Sequence, residues 1–310
     1  MSEFVSEGVG GIIAAAGSRA GRPLLQVGEI SLVRRAVICY QQAGVFPIVV
    51  IVGGDKAVKK HLAPLGVIFL ESGENDELID AAKIGLKYLH NKCGRVVFTP
   101  VSAPMFAPST LFALMRSKAD IAAPSYRNKG GHPVLIADRL IPEILAYQGE
   151  DGLRGAVQAC GSGRSWLEVE DPGILASAGD DEALNMNLKR HNRSLLRPVV
   201  SLSLEGEASF FSQRTKLLLY LLKDTENMRQ SCKLSGIAHS MAWNMINRLE
   251  KNLGYKVVER QHGGSWGGRT SLTANGENLL SAFREFELYL NKTAQEYFNK
   301  NFICTHIMPS

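Results

Sequence analysis

Over the first two hundred residues two hydrophobic periods take turns. Short β-branched runs of strand length, GGIIAAA from Gly10, FPIVVIVGG from Phe46, GVIFLE from Gly66, GRVVFTP from Gly94 and DIAAP from Asp120, are separated by segments with a helical stripe. In SLVRRAVICYQQAG the stripe is Leu32, Val33, Ala36, Val37 and Tyr40; in DELIDAAKIGLKYL it is Leu78, Ala81, Ala82 and Leu86. Strand and helix in alternation predict an α/β domain with a mostly parallel sheet, and such sheets bind ligands beyond the carboxyl ends of their strands.

From Ser212 the strand period gives way. SQRTKLLLYLLKD reads as a helix, and Met228 to Ser235 and Ser240 to Leu253 read as two more, joined through Gly236 at the spacing of a helix-turn-helix. The second of these turns Ala242, Met245, Ile246, Leu249 and Leu253 inward, with Ser240 suited to the N-cap. Its opposite face carries Asn244, Asn247, Arg248 and Lys251. KVVERQHGGSWGGRTSLT predicts two strands around a glycine-rich tip, a wing that carries Arg269, and a last helix is expected from about Thr273 to Asn299. At 310 residues two domains are expected, placed at 1–197 and 198–310: a Rossmann-like α/β sheet domain, then a mainly α winged helix-turn-helix domain.

Charge sharpens the second half. Residues 1–207 hold 22 basic and 22 acidic side chains, residues 208–272 hold 10 and 4, and residues 273–310 hold 3 and 4. A basic stretch inside a neutral protein fits a polyanion, because Lys and Arg that neutralise phosphates release condensed counterions; a solvated basic surface is the plainer alternative. Arg pairs bidentately with guanine and Asn with adenine, each good pair being worth about 1–3 kcal/mol of discrimination. Ser240, Asn244, Asn247, Arg248, Lys251 and Arg269 are therefore the candidate contacts to double-stranded DNA. Five scattered cysteines have no metal-ligand or redox spacing and read as idle thiols. No apolar run nears the roughly 20 residues of a membrane span, and the first residues lack a signal-peptide layout, so a cytoplasmic protein with no membrane partner is expected.

Three places after strands could hold a ligand. In AAAGSRAGRP, glycines let the backbone approach a phosphate and the arginines can neutralise it, so Ala15, Ala16, Gly17, Ser18, Arg19 and Arg22 are candidate nucleotide contacts, with Ser102. In FTPVSAPMFAPSTLFALM, Pro104 and Pro108 precede a helix that Ser109 can cap. In YRNKGGHPVLI, His132 is either a turn residue or a ligand contact, and Asp55 is either a helix cap or a ribose or base contact. Singly, each reads as structural.

In order, these segments resemble the nucleotidyltransferases that attach GMP or CMP to molybdenum cofactor. That family's opening motif, Leu-Ala-Ala-Gly-x-Ser-x-Arg-Met-Gly-x-x-Lys-x-Leu-Leu, appears here as AAAGSRAGRPLL from Ala14, and AGVFPIVVIVGGD, PMFAPSTLFALM, GGHPVLI and VEDPGIL extend the resemblance over residues 10–190. It implies a nucleotidyltransferase fold and a nucleotide or molybdopterin-type ligand. In such enzymes a lysine holds the phosphates and aspartates hold Mg²⁺. Here the loop is four residues shorter and lacks the lysine; Ser102 in VSAP, and Ser177 and Gly179 in SAGDDE, stand at the acidic positions, with Asp180 one residue out of place. The departures imply a domain that has lost catalysis and senses its ligand. The alternative is an active transferase, converting NTP and cofactor to dinucleotide cofactor and pyrophosphate, with Mg²⁺ in a rebuilt site and an autoregulatory DNA-binding domain.

Residues 200–290 resemble the LysR-like winged helix of the molybdate-responsive transcription regulators, through SGIAHSMAWNMINRLEKNLGYKVVER, GGSWGG and TSLTANGENLL. That resemblance implies packing by Trp243, DNA-facing Ser240, Asn244 and Arg248, and a homodimer joined through the last helix. No molybdate-binding module of that family follows, so any effector is expected to be sensed by the N-terminal domain or not sensed at all. Together the two resemblances imply a regulator of molybdenum or molybdopterin metabolism.

Overall fold

Val9–Ala14 (β1) has no polar alternation, the mark of a strand covered on both faces, and all six residues are buried. The computed structural model describes residues 8–16, 22–73, 76–261 and 269–303. After β1, a small hairpin of Gln26–Val27 (β2) and Ile30–Ser31 (β3) leads to Leu32–Gln42 (α1), Ile48–Val52 (β4), Lys56–Leu62 (α2), Ile68–Glu71 (β5), Leu78–Leu89 (α3), Arg95–Pro100 (β6) and Pro108–Arg116 (α4). Ile121–Tyr126 (β7), Lys129–Gly130 (β8), Val134–Ala137 (β9), Ile141–Ala146 (α5), Gly152–Ala159 (α6), Ser165–Glu168 (β10) and Asp181–Ser194 (α7) complete this part.

The main sheet runs β10-β7-β9-β6-β1-β4-β5, with β8 beside β7. β1 pairs parallel with β4 and β6, β4 with β5, and β10 with β7. β9 alone on this path is reversed, antiparallel to both β6 and β7. This is a mixed, mostly parallel sheet, as the alternation of strand and helix predicts. The predicted stripe of α1 is fully buried, and so is Arg35. The Arg35 guanidinium donates to the carbonyl of Val27 and to Asn192 Oδ1 at 2.7 Å, and lies 2.9 Å from His191 Nδ1. Arginine can only donate, so Nδ1 accepts and Nε2–H is left to donate to the Phe106 carbonyl at 3.2 Å. Burial first, then the Arg35 cation, push the His191 pKa down to about 4.

The cap of α4 differs from the sequence expectation. Ala107 is the N-cap, Pro108 occupies the first turn and Ser109 lies inside the helix. The capping group is Asp171, 64 positions away, whose Oδ2 accepts from the Ala107 N–H at 2.7 Å and from the Thr110 hydroxyl at 2.6 Å. Asp55, by contrast, behaves as a local cap, accepting from the Ala57 N–H at 2.7 Å ahead of α2.

The chain groups into two compact units, Met1–Leu62 with Val67–Leu196 and Ala63–Gly66 with Arg197–Ser310. The second contains Leu204–Glu205 (β11), Ser209–Phe211 (β12), Gln213–Thr225 (α8), Met228–Ser235 (α9), His239–Leu253 (α10), Val258–Gln261 (β13), Arg269–Leu272 (β14) and Ala274–Phe298 (α11). Phe211, Leu218, Leu222, Ile246, Leu249 and Phe283 lie in its core. Gly236 ends α9 at φ 67°, a left-handed conformation that only glycine adopts without a Cβ penalty. Helix α10 begins one residue before the expected start, with Ala238 as N-cap, so Ser240 sits inside the first turn and caps nothing. Near its other end Glu250 is buried. Its carboxylate accepts from the N–H groups of Val257 at 3.0 Å and Val258 at 3.2 Å, and from Lys256 Nζ at 2.7 Å, which fixes the chain's entry into β13. Among the described residues no helix is long and apolar enough to cross a membrane. Cys39, Cys93, Cys160 and Cys232 are buried and outside any disulfide.

Candidate functional site

In the first unit the loops after β1, β4 and β6 meet at one sheet edge, because parallel pairing brings their carboxyl ends together. Ala15 N–H donates to Ile51 at 2.8 Å and Val101 N–H to Ala14 at 2.9 Å. The Ala178 N–H reaches the Ser102 carbonyl at 2.7 Å, so the VSAP and SAGDDE segments lie side by side. Ala15 and Ala16 are buried, Ser102 is half-buried and Arg22 is exposed, its carbonyl accepting from Leu25. Gly17, Ser18 and Arg19 lie outside the described residues. Among the described residues the donor set at this edge does not fit Mg²⁺, which favours octahedral carboxylate and water oxygens. Ser102 offers a hydroxyl, and Asp180 is occupied as the N-cap of α7, its Oδ1 accepting from Ala183 at 2.9 Å.

A second feature of this unit is a cleft of about 940 Å³, lined by Glu77, His132, Asp151, Arg154, Arg164 and Trp166 among others. Two buried polar atoms on its walls, His132 Nδ1 and Arg164 Nε, have no hydrogen-bond partner among the described residues. Burial first, then the Arg164 cation, bring the His132 pKa to about 4, so the imidazole is neutral at physiological pH. Arg164 lies 5.0 Å from the half-exposed Trp166 ring, and its own pKa is lowered by burial and by Arg154. The Gly-Gly turn is a steric requirement: a Cβ on Gly130 would sit 2.2 Å from the Trp166 ring, and one on Gly131 2.4 Å from the Ile174 carbonyl. An aromatic plane and a neutral imidazole suit a flat ligand, and the wall offers it both cations, Arg154 and Arg164, and carboxylates, Glu77, Glu150 and Asp151. The sequence signalled only His132 of this group. Arg164 and Trp166 precede and enter an ordinary strand, and only the fold brings them to the His132 turn.

In the second unit the inward stripe of α10 forms as predicted, with Ala242, Ile246 and Leu249 buried and Met245 and Leu253 packed against the same cluster. Ser240, Asn244, Asn247, Arg248 and Lys251 are exposed on the other side. Arg248 Nη1 lies 3.4 Å from the Ser209 carbonyl. Arg269 opens β14, where its guanidinium pairs with Glu226 at 2.5 Å. The wing tip, residues 262–268, lies outside the described residues. Trp243 packs against the core as expected, and in addition carries Arg260 over its ring, 3.9 Å from guanidinium carbon to ring centroid. Arg260 was not anticipated. Strand period explains it: Val258 is buried, and Arg260, two residues on, shares its face and reaches α10.

The MobA-like NTP transferase domain family matches the chain over residues 11–165, and the chain belongs to that family. A separate likeness is partial. Transcriptional regulator ModE of Yersinia pestis is 35% identical over 74 residues, which make up 24% of this chain and 28% of that protein, so the chain spans little more than a quarter of this relative's length. Among solved structures, a nucleotidyl transferase from Methanothermobacter thermautotroptrophicus superposes with a TM-score of 0.50 at 14% identity, covering 60% of this chain and 97% of that one. Rv0371c from Mycobacterium tuberculosis covers 52% of this chain and 88% of its own, at 22% identity and a TM-score of 0.47. The first of these two bears on fold alone.

Proposed function

We propose that this protein is a DNA-binding transcriptional regulator of molybdenum or molybdopterin metabolism, whose MobA-like domain binds a nucleotide or molybdopterin-type ligand without transferring nucleotide. The observation that carries the reading is the exposed face of α10, where Asn244, Asn247, Arg248 and Lys251 stand clear of the core in a segment of net positive charge. The helix pair, the β13–β14 hairpin and the partial likeness to ModE support it. A homodimer through α11 belongs to the same proposal. Phe286, Leu288, Tyr289 and Tyr297 are exposed on that helix, and pairing them would set two α10 helices about one DNA turn, ~34 Å, apart. The loss of transfer rests on Ser102 and on the engagement of Asp180 as a helix cap.

Selection of bound fragments from genomic DNA, followed by gel-shift titration, tests the regulator. Arg248→Ala is expected to weaken binding at one base position, and Lys251→Ala to weaken all sequences alike while flattening the salt dependence. Affinity unchanged in both variants would remove DNA from the reading. Family membership favours a second reading, a working transferase with an autoregulatory DNA-binding part. Pyrophosphate release from NTP, Mg²⁺ and molybdenum cofactor, abolished by Asp180→Ala, would establish it.

A further inference from the structure

The outward chemistry of α10 is set in part by a residue of the neighbouring hairpin. Trp243 and Asn247 are one helical turn apart on one face of α10, and Arg260 reaches across from β13 to both. Its guanidinium lies over the indole, and its Nη2 donates to Asn247 Oδ1 at 3.0 Å. The stack and the hydrogen bond restrain the same planar group, so Arg260 is held in place and the Asn247 amide is turned with its oxygen toward the cation. Nδ2–H₂ is then the end left to point outward. A second lone pair remains on Oδ1, but it lies beside a fixed positive charge, which repels the positive hydrogen of any further donor.

Resting on the DNA reading above, we propose that Trp243, Asn247 and Arg260 form one recognition unit that presents N–H donors only. It takes acceptor groups of the duplex: the O6–N7 edge of guanine, or a backbone phosphate oxygen. It does not make the bidentate adenine pair, whose N6–H₂ donor needs a free Asn oxygen. Asn247 thereby differs from Asn244, for which adenine remains open. Arg260 is a positioning residue for Asn247 as well as a donor in its own right.

The test uses the full chain and a duplex recovered by genomic selection. Single guanines are replaced by 7-deazaguanine, single linkages by methylphosphonate, and single adenines by purine, which lacks the N6 amino group. One guanine or one linkage is expected to matter by roughly five- to 150-fold in the wild type and to lose that influence in Asn247→Ala. The guanine arm and the phosphate arm thus distinguish the two acceptors. Arg260→Ala, which frees Oδ1, is expected to bring in a preference for adenine at the neighbouring position, an effect that loss of packing alone would not produce. Arg260→Gln serves as a second variant, and circular dichroism checks that both fold. A purine substitution that weakens wild-type binding and has no effect on Asn247→Ala would overturn the proposal, as would wild-type binding insensitive to Asn247→Ala at every position. Absence of any duplex binding by the wild type would instead bring down the DNA reading, and this unit with it.

Discussion

Replacing Glu250 with alanine is expected to loosen the junction between α10 and the hairpin by about 2–4 kcal/mol. The estimate follows from what the carboxylate satisfies. Two backbone N–H groups, on residues 0% and 4% exposed, donate to Oε1, and an unsatisfied buried donor costs roughly 1–3 kcal/mol. The ion pair to Lys256 adds little, because the Lys256 side chain is 75% exposed. Glu250→Gln keeps one carbonyl oxygen for the two donors and is expected to cost only about 1 kcal/mol. Hydrogen exchange at the Val257 and Val258 amides reads this directly: at 1.4 kcal/mol per factor of ten, exchange in the alanine variant should quicken by about 30- to 700-fold. The charge adds a pH signature. Burial raises the Glu250 carboxyl, but hydrogen bonds from Lys256, Val258 and Val257 outweigh it and hold the group below its ordinary range. A depressed folded pKa gives stability that is present above the ordinary carboxylate value and lost as pH falls through the folded one, and Glu250→Gln should lack that acid-side loss. Exchange at these two amides equal in wild type and Glu250→Ala would refute the reasoning.

Asp171→Ala is expected to destabilise the first unit by about 2–4 kcal/mol, measured by urea denaturation, while Ser109→Ala stays within about 0.5 kcal/mol, because only the aspartate holds the α4 terminus. His132 and His191, both with pKa values near 4 in the fold, leave the unfolded chain binding more protons between about pH 6.5 and 4. Calorimetric Tm should therefore fall as pH drops through that window, and His191→Gln should flatten part of the fall. Gly131→Ala should cost more than Gly130→Ala in thermal unfolding, since the first drives a methyl into the fixed Ile174 carbonyl and the second into a side chain, Trp166, that can swing away. Loss of Trp166 fluorescence change on ligand titration should accompany Gly130→Ala if the indole forms a wall of the binding cleft.

Period and punctuation were enough to foresee the sheet domain, the helix pair and α11, because each depends on residues close in sequence: β-branched runs, i, i+3, i+4 stripes, and Gly236 at a turn. What escaped depends on distant residues. Ser109 and Ser240 are good local candidates for caps, yet the α4 donors go to Asp171, and α10 starts at His239 behind an Ala. Nothing local marks out His191, whose imidazole is the acceptor for a buried arginine 156 positions earlier. Alternation along VVERQ indicates which way Arg260 faces, but not that Trp243 waits there. Which residues stand at the positions of the family's acids is a matter of residue identity and needs no structure, whereas Gly17, Ser18 and Arg19 of the first loop lie outside the described residues.

The reversed direction of β9 has a consequence for how this protein can change. The six other strands of that path deliver whatever follows them to the edge where the loops after β1, β4 and β6 meet, but a strand running the other way delivers what precedes it, and His132 arrives by that route just before Val134 pairs with Phe98. Around the fixed Gly130–Gly131 turn, Arg127, Asn128, Lys129 and His132 can therefore change chemistry while the parallel register stays put. A cleft hung on such a hairpin can acquire a new ligand without the sheet having to refold.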